Sequence, residues 1–385
     1  MARIAECVDL DPTHVESIVA FARGENVGLV VVGPEGPLVA GLADRLHEDG
    51  VLVFGPTAAA ARLEGSKGFT KDLCARAGIP TAAYQRFTDR AAAAAALPRF
   101  GLPVVVKADG LAAGKGVVVA ETAEQAQAAL ADMLSQPGAE VVIEEFMTGE
   151  EASFFAITDG RTTIPFGTAQ DHKRVGEGDI GPNTGGMGAY SPASIVTADV
   201  TARVMAEIIH PTVAALADAG TPYAGILYAG LMLTDDGPRL IEYNCRFGDP
   251  ETQVLMMRLQ DDLLPILLAV AEGRLDEATA HFADKAALTV VMAADGYPGT
   301  PARGGAISGI DAAEASGARV FQAGTALVDG RLVASGGRVL AVTAVGDSVT
   351  QARDAAYRAV DAIDFPTGFC RRDIGWREVA REAGL

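Results

Sequence analysis

Two runs of β-branched residues flank a glycine-rich loop in the segment KADGLAAGKGVVVAE, and this pattern constrains the fold more than any other. LPVVVK leads in and GVVVAE leads out, which predicts a β-hairpin. Glycines let backbone amides approach an anion, and Lys107 and Lys115 could both reach phosphate oxygens. A Walker A loop is excluded, because three residues separate Gly110 from Gly114 and Gly116 follows Lys115. A merely solvated hairpin is the alternative.

The length and charge of the chain limit what kind of protein it can be. With 385 residues it is long enough for two or three domains, and its formal net charge of −19 repels nucleic acids and anionic membranes. Its longest apolar runs are far shorter than the roughly 20 residues that a membrane span requires. Its four cysteines are scattered, without a C-x-x-C pair. We therefore expect a cytoplasmic protein that binds small molecules, and neither nucleic acid nor membranes.

The first part of the chain alternates between strand and helix patterns. GLVVVG (residues 28–33) is predicted to be a buried strand of an open sheet, followed by a helix from Pro37 and a strand, VLVFG, that ends at Gly55. A further helix from Ser66 is stopped by Pro80. This βαβ order predicts an α/β fold that begins with a small, open parallel sheet.

The rest of the chain adds strands, helices and one long loop. A helix starts at Thr122, the strands VVIEEFM and ASFFAIT follow, and residues 171–192 are polar, glycine-rich and aperiodic, which predicts a loop. A long helix over residues 198–219 precedes the strands GILYAGLML and RLIEYN and two more helices. From about Ala286 short strands prevail, with one helix over residues 351–362, so we predict a separate C-terminal β-rich domain.

The segment VVIEEFMTGEEASF has features of a nucleotide site. An edge strand that ends in Glu144, Glu145 and Phe146 could offer backbone groups to a purine, and Glu151 could accept hydrogen bonds from ribose hydroxyls. A charged hairpin without a ligand is the alternative.

The predicted long loop, AQDHKRVGEGDIGPNTGGMGAYSP, combines charges with exposed backbone. Asp171 and Lys173 bring both signs of charge together, and GGMG at residues 185–188 has little side-chain cover, which suits close approach to a small ligand. We expect His172 to have a structural rather than an acid–base role.

The segment RLIEYNCRFGDPE is the most informative. Alternate side chains of a strand share a face, so Glu242, Asn244 and Arg246 should point the same way. Carboxylate and amide oxygens suit Mg²⁺, and Arg246 could stabilise a transferring phosphoryl group. A structural Glu–Arg pair is the alternative. Together with the hairpin and the nucleotide strand, this segment predicts an ATP–Mg²⁺ site.

The chain resembles the glycinamide ribonucleotide synthetase (phosphoribosylamine–glycine ligase) family of the ATP-grasp superfamily in five segments: GPTAAAARLEGSK, KADGLAAGKGV, IEEFMTGEEASF, QDHKRVGEGDIGPNTGGMGAYSP and EYNCRFGDPETQ. The likeness covers nearly the whole chain, and the last two segments are the most specific. It implies an ATP-grasp fold in which glycine and ATP give an enzyme-bound glycyl phosphate that the amine of 5-phosphoribosylamine attacks. The products are glycinamide ribonucleotide, ADP and phosphate, in purine biosynthesis.

The resemblance also implies roles for the residues above. Asp171 is our hypothesis for binding the glycine ammonium, since a small zwitterion needs an anion opposite its amine. Arg246 and Lys173 would face the reacting phosphoryl group. The implied set is Lys107, Gly114, Lys115, Gly116, Glu144, Glu145, Phe146 and Glu151 for ATP; Gly185, Gly186, Met187, Gly188 and Glu35 for the substrates; Glu242 and Asn244 for Mg²⁺ or Mn²⁺; and Arg246, Lys173 and Asp171 for catalysis.

The family layout predicts three domains. We expect an N-terminal βαβ domain over residues 1–64, an ATP-grasp domain over residues 65–275 with a hairpin lid at about 80–148, and a C-terminal β-rich domain over residues 286–385.

The family begins with a strand and a GGREH-type loop that helps to hold the ribose phosphate, and the chain starts after these elements. The difference is roughly 35 residues, about one βαβ unit, so the first sheet is expected to be truncated. Either the start is assigned too late or the form is truncated and has weakened activity.

Two other functions stay open. One is a different ATP-grasp carboxylate–amine ligase, and the other is a protein that binds ATP but does not ligate. We expect a monomer or a weak dimer.

Overall fold

The N-terminal region contains a small parallel sheet, as predicted. The structure, a computed structural model, describes residues 4–111 and 116–384. In this region strand β1 (Leu29–Val31) pairs with β2 (Leu52–Phe54). The helices around the sheet are α1 (Val15–Gly24), α2 (Glu35–Val39), α3 (Leu42–Glu48) and α4 (Ala58–Gly65).

Two details of this region differ from the prediction. The helix predicted from Pro37 already begins at Glu35 and is interrupted at Gly41, whose φ of 89° lies in the left-handed region. The first strand is not fully buried: Val31 is 47% exposed, because within the described residues β1 has a strand partner on one side only.

A four-stranded antiparallel sheet carries the glycine-rich hairpin. Its strands are β3 (Tyr84–Phe87), β4 (Val104–Ala108), β5 (Val117–Ala120) and β6 (Val141–Glu145), and its helices are α5 (Lys67–Ala77), α6 (Arg90–Ala96) and α7 (Ala123–Met133). The predicted hairpin is confirmed, since Lys107 on β4 pairs with Val117 on β5. Helix α7 follows Thr122, as predicted, and begins with a capping box of Thr122 and Gln125. One face of the sheet is buried under α6 and α7.

The prediction that β6 is an edge strand was wrong. The strand order is β3, β6, β4, β5, and Glu144 pairs with Tyr84 on one side and Val105 on the other. The neighbouring β3, YQRF, is short and shows no clear alternation, so the sequence did not reveal it. A ligand can therefore meet the backbone of β6 only beyond its end.

A nine-stranded antiparallel sheet forms the body of the molecule. Its strand order is β13, β12, β7, β8, β11, β14, β18, β15, with β19 paired to β14; two separate hairpins are β9–β10 and β16–β17. The strands are β7 (Glu150–Asp159), β8 (Thr163–Asp171), β9 (Arg174–Gly176), β10 (Ile180–Asn183), β11 (Gly188–Ser191), β12 (Ala224–Thr234), β13 (Gly237–Asn244), β14 (Ala286–Ala294), β15 (Arg319–Gln322), β16 (Thr325–Val328), β17 (Arg331–Ala334), β18 (Arg338–Gly346) and β19 (Gly368–Phe369). The helices are α8 (Ala198–Val204), α9 (His210–Asp218), α10 (Glu251–Arg258), α11 (Leu263–Ala271), α12 (Ile310–Ala315), α13 (Val349–Asp361) and α14 (Trp376–Glu382).

The C-terminal strands continue this sheet. Gly188 on β11 pairs with Val290 on β14, so the hydrogen-bonded ladder does not stop near Ala286. The division into domains at residues 64, 275 and 286 stays a prediction.

The region over residues 171–192 is more ordered than the predicted loop. It contains the hairpin β9–β10 and strand β11, which is hydrogen-bonded to β8 and β14. Glycines and polar residues fill this region, so its strands carry no alternation of apolar side chains that a sequence pattern could show.

Helices α8 and α9 join through a π-helical turn into one helix, Ala198–Asp218. By length and composition alone this helix could cross a membrane. One face is, however, buried in the protein core: Val204, Ile208 and Val213 pack with Tyr243 and Leu240 of β13. The predicted long helix is thus confirmed as a core helix.

Candidate active site

A cleft of about 1080 Å³ opens between the two larger sheets. The ends of β4, β6, β8 and β13 and the start of α2 line it. The predicted residues on its surface are Glu35, Lys107, Gly116, Glu144, Glu145, Phe146, Glu151, Asp171, Lys173, Gly185, Glu242, Asn244 and Arg246. Gly186, Met187 and Gly188 are buried behind Gly185. Gly114 and Lys115 lie outside the described residues.

Three buried charges meet at the ends of β4 and β6. The Glu144 carboxylate lies 3.0 Å from Lys107 Nζ and 2.9 Å from Lys71 Nζ, and none of the three side chains is more than 4% exposed. Burial lowers the pKa of Lys71, while the charge of Glu144 opposes this shift. The Glu144 side chain is therefore turned towards the two lysines, and any contact of this residue with a purine would use its backbone.

Lys67 is a cleft residue to which the sequence analysis gave no role. Its Nζ donates to the carbonyl oxygen of Gly110 at 2.8 Å, and burial lowers its pKa. The flanking Ser66 Oγ and Gly68 N–H both donate to the Asp109 carboxylate, at 2.9 and 3.0 Å. The start of α5 thus holds the first residues of the glycine-rich loop. The sequence feature that could have indicated this role is Ser-Lys-Gly at the start of a helix.

The other residues predicted for ATP lie at the cleft rim. The Glu145 carboxylate accepts from Ala83 N–H at 3.0 Å and Arg239 at 2.6 Å, and these bonds lower its pKa. Phe146 is 41% exposed. Glu151 uses Oε2 to accept from Lys173 at 2.8 Å, and Lys173 lowers the pKa of Glu151. Both carboxylates are therefore ionised.

The end of β13 presents the predicted polar side chains to the cleft. Glu242, Asn244 and Arg246 all line it, whereas the side chain of Tyr243, between the first two, is buried in the hydrophobic core. Arg246 pairs with Glu35 at 3.1 Å and also with Glu64, at 3.4 Å. Arg246 therefore forms ion pairs with glutamates of α2 and α4, and among the described residues no ion pair joins it to Glu242.

The donors of Glu242 and Asn244 fit a small, hard cation. Across residues 4–111 and 116–384 there is no cluster of three or more His, Cys, Asp or Glu that could hold a metal. Mg²⁺ needs few protein ligands, because waters and substrate phosphates complete its coordination. Two oxygen-bearing side chains at the cleft surface meet this requirement.

Asp171 lies among other charges at the end of β8. Burial, together with the charges of Glu251 and Glu151, raises its pKa to about 7 against the opposing effect of Lys173. Glu251 is buried and accepts from Tyr228 Oη at 2.7 Å and Ser153 Oγ at 3.2 Å. Asp171 thus shares this corner of the cleft with two other carboxylates and one lysine, which leaves the corner suited to a further cation.

His172 is part of the framework. Its Nε2 accepts from Gly375 N–H at 3.1 Å, and burial followed by the charge of Arg371 lowers its pKa to about 4. The ring is therefore neutral near pH 7, in line with the structural role expected from the sequence.

The glycines of the GGMG segment allow tight packing. Gly186 has a φ of 112°, and a Cβ at this position would lie 2.4 Å from Pro250 Cδ. A side chain is thus excluded by both backbone conformation and contact.

The cleft and its two flanking sheets define an ATP-grasp enzyme. A small sheet with a glycine-rich hairpin and the neighbouring helix α5 carry lysines, and a larger sheet carries a carboxylate and an amide at the same cleft. The biotin carboxylase domain of Hydrogenobacter thermophilus 2-oxoglutarate carboxylase, solved with MgADP, has the same fold, with a TM-score of 0.68 at 17% identity over 94% of this chain and 81% of that chain.

The chain belongs to the phosphoribosylglycinamide synthetase family. The family's N domain matches residues 1–64, its ATP-grasp (A) domain residues 65–252 and its C domain residues 287–377. The resemblance and the ATP-grasp fold predicted from the sequence are confirmed, and the ATP-grasp domain implies ATP binding.

The names of similar proteins agree with this family assignment. The phosphoribosylamine–glycine ligase of Mesorhizobium japonicum is 62% identical over 98% of this chain and 90% of the relative, and that of Brucella melitensis is 57% identical over 99% and 91%. The crystal structure of the Thermotoga maritima phosphoribosylamine–glycine ligase aligns with a TM-score of 0.77 at 35% identity, covering 84% of this chain and 81% of that chain.

Proposed function

We propose that the cleft joins glycine to 5-phosphoribosylamine with conversion of ATP to ADP and phosphate, through a glycyl phosphate. The observation that carries this proposal is the meeting, in one cleft, of Lys67 on α5 and Lys107 on β4 with Glu242 and Asn244 on β13. Relatives at up to 62% identity are named for this reaction.

The reaction needs an activated carboxylate. A glycine carboxylate oxygen attacks the γ-phosphorus of ATP, the bond to the β–γ bridging oxygen breaks, and ADP leaves. The amine nitrogen of phosphoribosylamine then attacks the acyl carbon, loses a proton, and phosphate leaves with the C–O bond electrons. Because an acyl phosphate hydrolyses readily, the glycine-rich hairpin would exclude water as a lid.

The cations of the cleft would hold the phosphates. Lys107 on β4 and Lys67 on α5 would bind the phosphates of ATP, and Lys173 and Arg246 would face the reacting phosphoryl group. Carboxylates Glu151 and Asp171 raise the pKa of Lys173 although burial opposes the shift, so the lysine stays charged. Glu242 and Asn244 would hold Mg²⁺ or Mn²⁺, which offsets phosphate charge when bound.

The substrates would occupy the remaining parts of the cleft. Adenine would lie against the chain at residues 144–146, and Glu151 has Oε1 left for a ribose hydroxyl while Oε2 accepts from Lys173. The glycine ammonium would face Asp171, and Gly185 and Glu35 would border the phosphoribosylamine. Lys115 and Gly114 are retained as proposed phosphate contacts. We further propose a cytoplasmic monomer or weak dimer without nucleic-acid or membrane partners.

The function is tested by omitting substrates one at a time. ADP release should require both glycine and phosphoribosylamine, and hydroxylamine added without phosphoribosylamine should trap glycyl hydroxamate. Turnover with another amine instead of phosphoribosylamine would indicate a different ligase. ATP binding without glycine-dependent ADP release would indicate a protein that does not ligate.

The role of Asp171 gives a prediction for glycine binding. Asp171→Ala should raise KM for glycine about 10- to 100-fold, the effect of losing a charge-assisted hydrogen bond, and leave KM for ATP nearly unchanged. Initial rates at varied glycine measure this. The matched control is Asp235→Ala, an exposed acid on the turn between β12 and β13. An unchanged KM for glycine would remove the proposed role.

The raised pKa of Asp171 adds a pH dependence to this prediction. The carboxylate that would bind an ammonium is present above a pKa of about 7 and is lost as the pH falls. The kcat/KM for glycine, which reports the free enzyme, should therefore fall as the pH drops through 7. Asp171→Asn should abolish this fall while retaining the side-chain volume.

A further inference from the structure

One arginine of the C-terminal region extends into the candidate active site. Arg338 is the first residue of β18, and its Nη1 donates to the carbonyl oxygens of Gly185 at 2.7 Å and Asp249 at 2.6 Å. Its Nη2 donates to Asp249 Oδ2 at 2.8 Å. A planar guanidinium holds several acceptors in fixed geometry, which an ammonium cannot do.

A second side chain of the same region completes the hold on Gly185. The hydroxyl of Tyr297, which follows β14, accepts from Gly185 N–H at 3.0 Å. The ring lies against Gly337, where a Cβ would come within 2.4 Å of it. Both polar backbone groups of Gly185 are therefore fixed by side chains from outside the ATP-grasp segment.

The turn held in this way supports Lys173. Thr184, next to Gly185, donates from both N–H and Oγ1 to the carbonyl oxygen of Lys173, at 2.7 and 2.8 Å. Gly186 N–H donates back to Thr184 Oγ1 at 3.0 Å. The backbone position of Lys173 thus depends on the turn that Arg338 holds.

The other acceptor of Arg338 belongs to a second segment of the cleft lining. Asp249 lies between Arg246 and Glu251 in the chain, on the segment that follows β13. A single guanidinium therefore joins the segment of Lys173 to the segment of Arg246. A contribution to stability alone explains this poorly, since the Asp249 side chain is 52% exposed and exposed ion pairs stabilise little.

We propose that Arg338 is a positioning residue for ligation, and that the C-terminal region contributes to the reaction by holding these two segments in place relative to each other. The proposal rests on the proposed function. We assign Arg338 a positioning rather than a catalytic role, because Nη1 and Nη2 both donate to protein oxygens of the cleft lining. Its loss should leave the nucleotide site at the ends of β4 and β6 intact and should misplace the groups around the reacting atoms.

The test compares Arg338→Ala and Arg338→Lys with Arg331→Ala, an exposed arginine on β17. For Arg338→Ala we expect kcat to fall about 10- to 100-fold, the range for one charge-assisted hydrogen-bond donor, with the Kd for ATP within about twofold of wild type, since β4 and β6 are untouched. Arg338→Lys should recover little activity, because an ammonium group cannot hold several acceptors in the fixed planar geometry of a guanidinium. Arg331→Ala should behave as wild type.

Chemical rescue separates positioning from folding. Guanidinium ions at low millimolar concentration should restore part of the activity of Arg338→Ala and none of that lost in Asp171→Ala. An Arg338→Ala enzyme with wild-type kcat would overturn the proposal, and so would one that is unfolded and not rescued. If the wild-type protein itself shows no glycine-dependent turnover, it is the proposed function that fails.

Discussion

Glu242→Gln is expected to lower the ligation rate about 100- to 1000-fold with little change in stability. The glutamine keeps the volume and one oxygen donor of Glu242 but removes the charge that a divalent cation needs at the cleft surface. Metal stabilisation of phosphoryl charge is worth several kcal/mol, and each step of about 1.4 kcal/mol is tenfold in rate. The loss should appear in kcat, because the charge matters most when the phosphoryl group transfers.

Two measurements check this result. ADP release at increasing Mg²⁺ should show a higher half-saturating metal concentration for Glu242→Gln, and Mn²⁺ titration in the presence of an unreactive ATP analogue should show weaker binding without any turnover. Glu277→Gln is the matched control, since Glu277 is exposed and pairs only loosely with Arg274, at 3.4 Å. Wild-type metal dependence and rate in Glu242→Gln would show that this side chain does not hold the cation.

Local pattern was enough to predict that Glu242 and Asn244 share one face of β13 and line the cleft. Side chains alternate along β13, so the spacing of Glu242 and Asn244 places both on one face, and the buried Tyr243 between them shows which face is the core. The hairpin of β4 and β5 and the start of α7 were equally predictable from the sequence, because each depends on residues within a few positions of one another.

Contacts across long sequence separations could not be predicted in this way. Spacing indicates that Glu144 is on a strand, but the two lysines that take its carboxylate come from α5 and β4. Arg338 lies over 150 residues from the Gly185 that it holds, and nothing near Arg338 in the sequence indicates an active-site role. Strand β11 was missed because hydrogen bonds to β8 and β14, rather than a pattern in its own side chains, hold it in the sheet.

Glu144→Ala should be the most destabilising single change in the cleft, at about 3–5 kcal/mol of unfolding free energy. This is the usual cost of leaving a buried charge without its partner. Here the loss leaves two ammonium groups, Lys71 and Lys107, facing each other with no carboxylate between them. Urea denaturation is the suitable measurement, because guanidinium chloride would screen the charges. The control is Glu150→Ala, whose pair with Arg381 is partly exposed and should be worth under about 1 kcal/mol.

The number of charges left in this cluster predicts how strongly each further variant destabilises the protein. Lys71→Met leaves Glu144 and Lys107 as a neutral pair, so it should cost less than Glu144→Ala. In the double variant Lys71→Met/Glu144→Ala only Lys107 stays charged, and the repulsion is gone, so its cost should be below the sum of the single costs by about 0.5–3 kcal/mol. Additive costs would show that the two lysines do not share the carboxylate. The same count explains how a chain with a net charge of −19 can attract a polyphosphate: two lysines around one acid leave a net positive charge where the nucleotide would bind.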